Sequence, residues 1–300
     1  MKMKQLVDEK FNSLIKLIVF SFIIGISANS CINQSSKNKN NQMNVMDSTE
    51  TKENILFIHG FPMSSSIWKS QVSALNKDYN CYAIDLPGYG KNLSQYEFNH
   101  SINSYSDYVY QYINDNNLAP VHIVGMSMGG SITLNMSRRY NNILKSMTVI
   151  HTSAIIDTDE DKRKRDITIA GIEKGGLLEF IDDFADRLLS PKSKDEIRQK
   201  YICQMREASQ EVVIAGYKAI RNREDESSNL SNLKIPVLVV AGNDDIGSTP
   251  EEMKEIAEAI PNSTFKIISD CGHVAPLEQP QRLNEILSEW YNNIINVEKP

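Results

Sequence analysis

Cysteine is scarce in this chain, with four in 300 residues. With Cys31 set aside for a role argued below, Cys81, Cys203 and Cys271 remain. Their odd number excludes a closed disulfide framework, and no two have the short spacing of a zinc site. Buried free thiols are the expectation. Positive charge is also short: 32 Lys and Arg stand against 38 Asp and Glu, giving a formal net charge of −6 and a pI near 5.5. Nucleic-acid binding by counterion release needs clustered cations facing phosphates, so this balance argues against such a partner. The single dense basic run, Lys162-Arg163-Lys164-Arg165, is bracketed by Asp159, Glu160, Asp161 and Asp166 and reads as a solvated helix face. Internal repeats are missing too, and 41% hydrophobic content suits one large core, alone or with an inserted subdomain.

Long apolar runs are absent except for one near the start. Lys2, Lys4, Lys10 and Lys16 precede Leu17-Ile18-Val19-Phe20-Ser21-Phe22-Ile23-Ile24-Gly25-Ile26, which is too short to span a bilayer comfortably as a helix. Residues 1–31 read as an export signal. Small residues Ser27, Ala28 and Ser30 lead to Cys31, which resembles the lipid-attachment cysteine of bacterial lipoproteins. The resemblance implies an exported protein tethered to a membrane through lipid on Cys31. Asn29 departs from the usual box, so a soluble periplasmic or secreted form, or an uncleaved anchor, stays open. Residues 32–53, rich in Asn, Gln, Ser and Lys, bury too little apolar area to offset ordering and read as a flexible tether.

From residue 54 the pattern changes. Asn54-Ile55-Leu56-Phe57-Ile58 is a continuous apolar run of strand length, as expected for a parallel strand buried on both faces. It ends in His59-Gly60-Phe61-Pro62. Ser64 to Ser66 offer a helix cap before Ile67, Val72 and Leu75. Cys81 to Ile84 is a second strand, running into Asp85-Leu86-Pro87-Gly88-Tyr89-Gly90. A helix through Tyr105, Val109, Tyr112 and Ile113 precedes a third strand, Val121 to Val124. After a helix bearing Ile132 and Met136, Met147 to Ile150 is a fourth. Such alternation is the signature of right-handed parallel crossovers. It stops at about 154. To about 230 there is only helical periodicity, through Leu177, Phe180, Ile181, Phe184 and Leu188, then Ile197, Tyr201, Met205, Ala208, Val212, Ala215 and Ala219. Strands resume at Val237 to Val240 and Thr264 to Ile268, and a closing helix carries Leu283, Ile286, Leu287, Trp290 and Ile294 at core spacing. The expected fold is α/β, a doubly wound, mostly parallel sheet over 54–300 with a helical insertion at about 154–230.

The third strand breaks into Gly125-Met126-Ser127-Met128-Gly129-Gly130. Gly-x-Ser-x-Gly between strand and helix puts a serine on a turn tight enough to strain its backbone and expose its Oγ. An ordinary glycine-rich turn is the alternative. Serine chemistry needs a base, a group orienting that base, and donors for an oxyanion. Among five histidines, His273 lies in the loop after the last strand, which opens on the same sheet edge as Ser127. The acid is sought in Gly242-Asn243-Asp244-Asp245, giving the chain order Ser, Asp, His expected of this elbow.

Together these motifs resemble the α/β-hydrolase family from Asn54 to Trp290. The family pattern Gly-x-x-Asp implies Asp245 as the acid, with Asp244 the alternative. The His-Gly turn implies that the backbone N–H groups of Phe61 and Met128 form an oxyanion hole and that His59 is structural. His122, inside a strand, His100, in a polar loop, and His151, at a strand end, read as structural or surface residues. The segments Phe61 to Trp68 and His151 to Arg163 are similar to lactone hydrolases of the 3-oxoadipate enol-lactonase type. Those relatives begin with a two-strand hairpin, whereas here only the tether precedes Ile55. A serine at position 127 argues against the dehalogenase and epoxide-hydrolase branches. The insertion reads as a cap roofing the serine, with Met63, Trp68, Met126 and Val274 lining the pocket from the core side; the alternative is that these side chains pack the core.

The resemblance implies a serine hydrolase cleaving small carboxylic esters or lactones through an acyl-enzyme, with no metal or organic cofactor. Acyl transfer or perhydrolysis could use the same residues, and a non-catalytic ligand-binding protein could keep the fold. The lipid expectation is checked by metabolic labelling with a fatty acid. The full chain is expected to incorporate label and Cys31→Ala to lose it, and undiminished labelling of that variant overturns the expectation.

Overall fold

The computed structural model describes residues 52–92 and 98–298. The export segment, Cys31 and the tether up to residue 51 lie outside the described residues. In chain order the elements are β1 (Asn54–Ile58), α1 (Lys69–Leu75), β2 (Asn80–Ile84), α2 (Ile102–Asp115), β3 (Val121–Met126), α3 (Met128–Arg139) and β4 (Leu144–Ile150). The insertion follows as α4 (Asp159–Glu173), α5 (Leu177–Leu188), α6 (Asp195–Met205), α7 (Gln210–Arg221) and the single turn α8 (Ser227–Leu230). The chain closes with β5 (Val237–Gly242), α9 (Pro250–Ala259), β6 (Ser263–Ile268), the short α10 (Ala275–Glu278) and α11 (Pro280–Glu298). No helix among the described residues is long and apolar enough to cross a membrane.

The six strands form one sheet in the order β2-β1-β3-β4-β5-β6, and every pairing is parallel. Strands β3 and β5 are buried along their whole length, which is why they read as unbroken apolar runs, while the edge strands β2 and β6 are half-exposed. From β1 the chain steps one way to β2, then reverses past β1 to β3 and onward. Right-handed crossovers therefore put helices on opposite faces. The packing of α1 on α11, and of α2 on α3, is the result. The reversal leaves a crevice between the carboxyl ends of β1 and β3, the place where open α/β sheets bind ligands.

Local chemistry sets several boundaries. Ser101, Thr158 and Ser209 cap α2, α4 and α7 through their side chains, and Thr249 with Glu252 makes a full capping box on α9. The cap at Ser209 explains why the apolar series from Ile197 to Ala219 runs as two helices instead of one. Glu53 is held by His122, 2.6 Å away, and by Lys145, so the chain is anchored just before β1.

Three expectations are corrected. Arg165 leaves the solvated face of its basic run, because the buried Asp157 carboxylate recruits both Arg165 and Arg223; its guanidinium also lies over the Tyr217 ring. Of the free thiols only Cys271 is buried, while Cys81 is half-buried and Cys203 exposed. Cys203 sits between the inward Tyr201 and Met205 on α6 and so faces outward. For His151 the surface alternative falls, since its side chain is fully buried and in contact with Asp245.

Candidate active site

Strand register fixes which loops meet. Met126 pairs with Ile150, Ile150 with Val240, and Gly242 with Ile268, so Ser127, His151, Asp245 and His273 all leave the sheet at its carboxyl edge. Ser127 has φ 54° and ψ −118°, a backbone state worth about 1–3 kcal/mol of strain that persists only where its surroundings over-determine it. Its N–H donates to Ile150 O (2.9 Å) and its carbonyl accepts from Ser131 N–H (3.0 Å) and Thr152 Oγ1 (2.9 Å). Close approach is the other half of the elbow. A Cβ on Gly125 would stand 2.2 Å from Gly129 O, and one on Gly129 would stand 2.4 Å from Ile58 O. Any side chain there would push α3 off β1 and β3.

The turn after β1 sits against this serine. A Cβ on Gly60 would lie 3.1 Å from Ser127 Cβ, 2.9 Å from Met126 Cε and 3.1 Å from Met63 Cε, so Phe61 follows directly beside the elbow. Met128 opens α3, and the first N–H of a helix has no acceptor within the helix. His59 fixes the turn from below: its Nδ1–H donates to Gly60 O (2.9 Å), and its Nε2 accepts from Leu86 N–H (3.0 Å). Burial lowers its pKa to about 4, so it is a neutral strut joining the His-Gly-Phe-Pro turn to the Asp-Leu-Pro-Gly turn. His100 and His122 are held by Tyr105 and Ser146 (both 2.6 Å).

The structure brings Ser127, His273 and Asp245 into one chain of hydrogen bonds. His273 Nε2 lies 2.9 Å from Ser127 Oγ, and its Nδ1 lies 2.9 Å from Asp245 Oδ2 and 3.1 Å from Oδ1. A carboxylate only accepts, so Nδ1 carries the proton and Nε2 is free to accept from the serine. Asp245 Oδ1 also takes Gly247 N–H (2.7 Å) and Ser248 N–H (3.2 Å). Its Oδ2 takes a second imidazole, His151 Nδ1, at 2.9 Å. Burial alone would raise the Asp245 carboxyl, but the charge of His273 and the hydrogen bonds of both histidines hold it far below the usual carboxylate range. For His273, burial pulls down, while the charge and hydrogen bond of Asp245 and the charge of Glu278 prevail and leave it above the ordinary imidazole value. Asp244, the alternative acid, instead accepts from Ser190 Oγ (2.5 Å).

The insertion meets this edge in two places. Phe61 packs among Phe180, Phe184 and Tyr217, with ring centroids 6.4, 6.0 and 5.5 Å away. At the end of α5, Leu188 O accepts His273 N–H at 2.7 Å. Glu278 joins the two segments: its Oε2 accepts from Ser190 N–H (2.8 Å), Ser193 Oγ (2.7 Å) and Gly272 N–H (3.1 Å), and its Oε1 from Val274 N–H (2.9 Å). The N–H groups of both residues flanking His273 are thus held by one carboxylate. Sequence reasoning missed Glu278 and His151. The turn-and-a-half between His273 and Glu278 is the only sequence signal that could have pointed to the former.

Met63 and Met126 lie at Gly60 beside the serine. Trp68 is fully buried with its ring 5.2 Å from that of Phe57, and Val274 is buried with its N–H on Glu278. Among the described residues, His151, Asp245 and His273 are the group whose atoms converge within 4.8 Å as metal ligands might. Both Nδ1 atoms carry protons aimed at Asp245, and His273 Nε2 is engaged by Ser127, so the set is a hydrogen-bond array and is assigned no metal.

Fold and site define an α/β protein built around a serine elbow. The α/β-hydrolase fold family model matches residues 53–280, and the chain belongs to that family. It is 25% identical over 243 residues to 3-oxoadipate enol-lactonase 1 of Acinetobacter baylyi, covering 80% of this chain and 89% of that protein. It is 24% identical over 240 residues to (E)-2-((N-methylformamido)methylene)succinate hydrolase of the same species, covering 79% and 90%. A thermophilic esterase from Thermogutta terrifontis, solved with malate bound, superposes with a TM-score of 0.77 at 29% identity, over 81% of this chain and 91% of that one.

Removal of the carboxylate that pins the histidine loop is expected to loosen it locally. Hydrogen bonds to a charged group are worth about 1.5–3 kcal/mol each, so Glu278→Ala should speed amide exchange at Ser190, Gly272 and Val274 by about tenfold or more. Hydrogen–deuterium exchange by NMR reads this directly, and unchanged protection at those amides would refute the assignment.

Proposed function

We propose that the protein is a serine hydrolase of carboxylic esters or lactones. The observation carrying this reading is the continuous array Ser127 Oγ–His273–Asp245, set beside the Phe61 turn. Ser127 Oγ attacks the carbonyl carbon as its proton passes to His273 Nε2. Asp245 holds the imidazole in the required tautomer and stabilises its charge. Charge developing on the carbonyl oxygen is met by the N–H groups of Phe61 and Met128, each worth on the order of 3 kcal/mol. Collapse expels the alcohol oxygen with the proton from His273, leaving an acyl group on Ser127. Water then attacks with His273 again as base, and Ser127 regains its proton as the acid departs. Lysine-flanked apolar sequence and Cys31 support placing this activity outside the cytoplasmic membrane on a lipid tether.

Ester and lactone panels, with Ser127→Ala as the blank, test the reaction. Turnover of short p-nitrophenyl esters is expected to fall on the order of 10^4-fold or more in that variant, with loss of labelling by a fluorophosphonate. Full activity in Ser127→Ala would end this reading. The pH profile follows from the sign of the His273 shift: the base works only when neutral, and its pKa is raised. The acid limb of kcat/KM should therefore have a midpoint above about 6.5, the ordinary imidazole value, with activity rising as pH increases through it. A midpoint below that value in stopped-flow or steady-state assays would contradict it.

A further inference from the structure

Beyond the three residues of the proposed mechanism, Asp245 serves a second imidazole. His151 lies one residue past β4, fully buried, with φ 50°. Its N–H continues the sheet to Val240 O at 3.2 Å. Its Nδ1 lies 2.9 Å from Asp245 Oδ2, the oxygen that also faces His273 Nδ1 at 2.9 Å, and the two rings are 5.5 Å apart. Its other nitrogen, Nε2, is buried with no hydrogen-bond partner among the described residues. A ring that only filled space would not need a nitrogen aimed at a carboxylate, nor a left-handed backbone to aim it.

We infer that His151 is a positioning residue for the base, acting through Asp245. The inference rests on the reading of Ser127, His273 and Asp245 given above. Oδ1 of Asp245 is fixed by the N–H groups of Gly247 and Ser248, whereas Oδ2, among the described residues, has only the two imidazoles. The Nδ1–H of His151 locks the rotation of the carboxylate. It also takes up part of the negative charge that His273 would otherwise face alone. Without it, His273 holds its proton more tightly and the carboxylate is free to turn out of line. The other groups facing this array are Glu278, which acts on His273 by its charge, Tyr201 from α6, and Cys271 and Asp244 from the adjoining loops. Burial pushes the Tyr201 hydroxyl and the Cys271 thiol upward, out of the imidazole range. Asp244 is occupied by Ser190 Oγ.

Two substitutions separate positioning from space-filling. His151→Phe keeps an aromatic ring without a donor, and His151→Asn keeps an N–H donor on a residue that tolerates the left-handed backbone. Imidazole 15N and 1H signals of His273, followed over pH, give its midpoint whether or not the protein turns over an ester. Loss of the functional reading and loss of this inference are therefore distinguishable. In His151→Phe the His273 midpoint is expected to rise by about half a unit or more, because one donor to its counter-ion is gone. With p-nitrophenyl butyrate, kcat should fall about tenfold while KM stays within about twofold, the pattern of an interaction serving the transition state. His151→Asn should restore most of both. If the phenylalanine variant does not fold, His151→Gly, which suits the backbone and lacks the donor, takes its place in the comparison. A His273 midpoint unmoved without the donor, or an asparagine variant as impaired as the donor-free one, would overturn the inference.

Discussion

The left-handed backbone of Ser127 is the constraint on which the site depends. A strand fixed in register on both sides must turn into a helix within one residue, and the helix must then cross back over β1. Three hydrogen bonds to the serine's own peptide groups and two glycine contacts under 2.5 Å for any added Cβ hold it there. Strain of a few kcal/mol is tolerable because the neighbours that impose it are core strands. The consequence is placement: the Ser127 hydroxyl projects from the sheet edge at the crevice between β1 and β3, beside the turn that carries Phe61.

A second dependency runs through the Asp245 carboxylate. A buried anion is expensive unless nearly every lone pair is occupied. Here four donors supply that occupation, two from the backbone of its own loop and two from imidazoles in the segments that follow β4 and β6. The carboxylate is thus both the electrostatic partner of His273 and the junction that ties the ends of β4, β5 and β6. His59 shows the opposite solution. It is buried equally deep, burial outweighs the charge of Asp85, and it stays neutral through one donated and one accepted bond.

Much of this was legible because burial on both faces of a parallel sheet writes continuous apolar runs, and because the loops after β3, β5 and β6 carry compact motifs. Ser127, His273 and the Asp244/Asp245 pair could be named from chain order alone. Choosing between the two aspartates needed geometry, since what separates them is the contact of Asp245 with His273 and that of Asp244 with Ser190, just past α5. His151 was opaque for a related reason. A histidine one step past a strand looks like a boundary residue, and only a left-handed φ, invisible in sequence, turns its ring toward the neighbouring loop. Arg165 was misread because its partner Asp157 is buried by tertiary packing, which a local charge run does not encode.

The insertion is more than a cover laid over finished machinery. Its α5 ends on Leu188, whose carbonyl holds the peptide N–H of His273, and the next residues share the Glu278 carboxylate with both neighbours of that histidine. A shift of this end of the insertion would therefore drag His273. The insertion also reaches the site through aromatic side chains packed on Phe61, Phe180 and Phe184 from the same α5 and Tyr217 from α7. Apolar contacts of that kind can slide where a hydrogen-bonded strap cannot. Phe184, however, stands one turn before Leu188 on the same α5, so a displacement of that helix acts on the Phe61 turn and on the His273 peptide together.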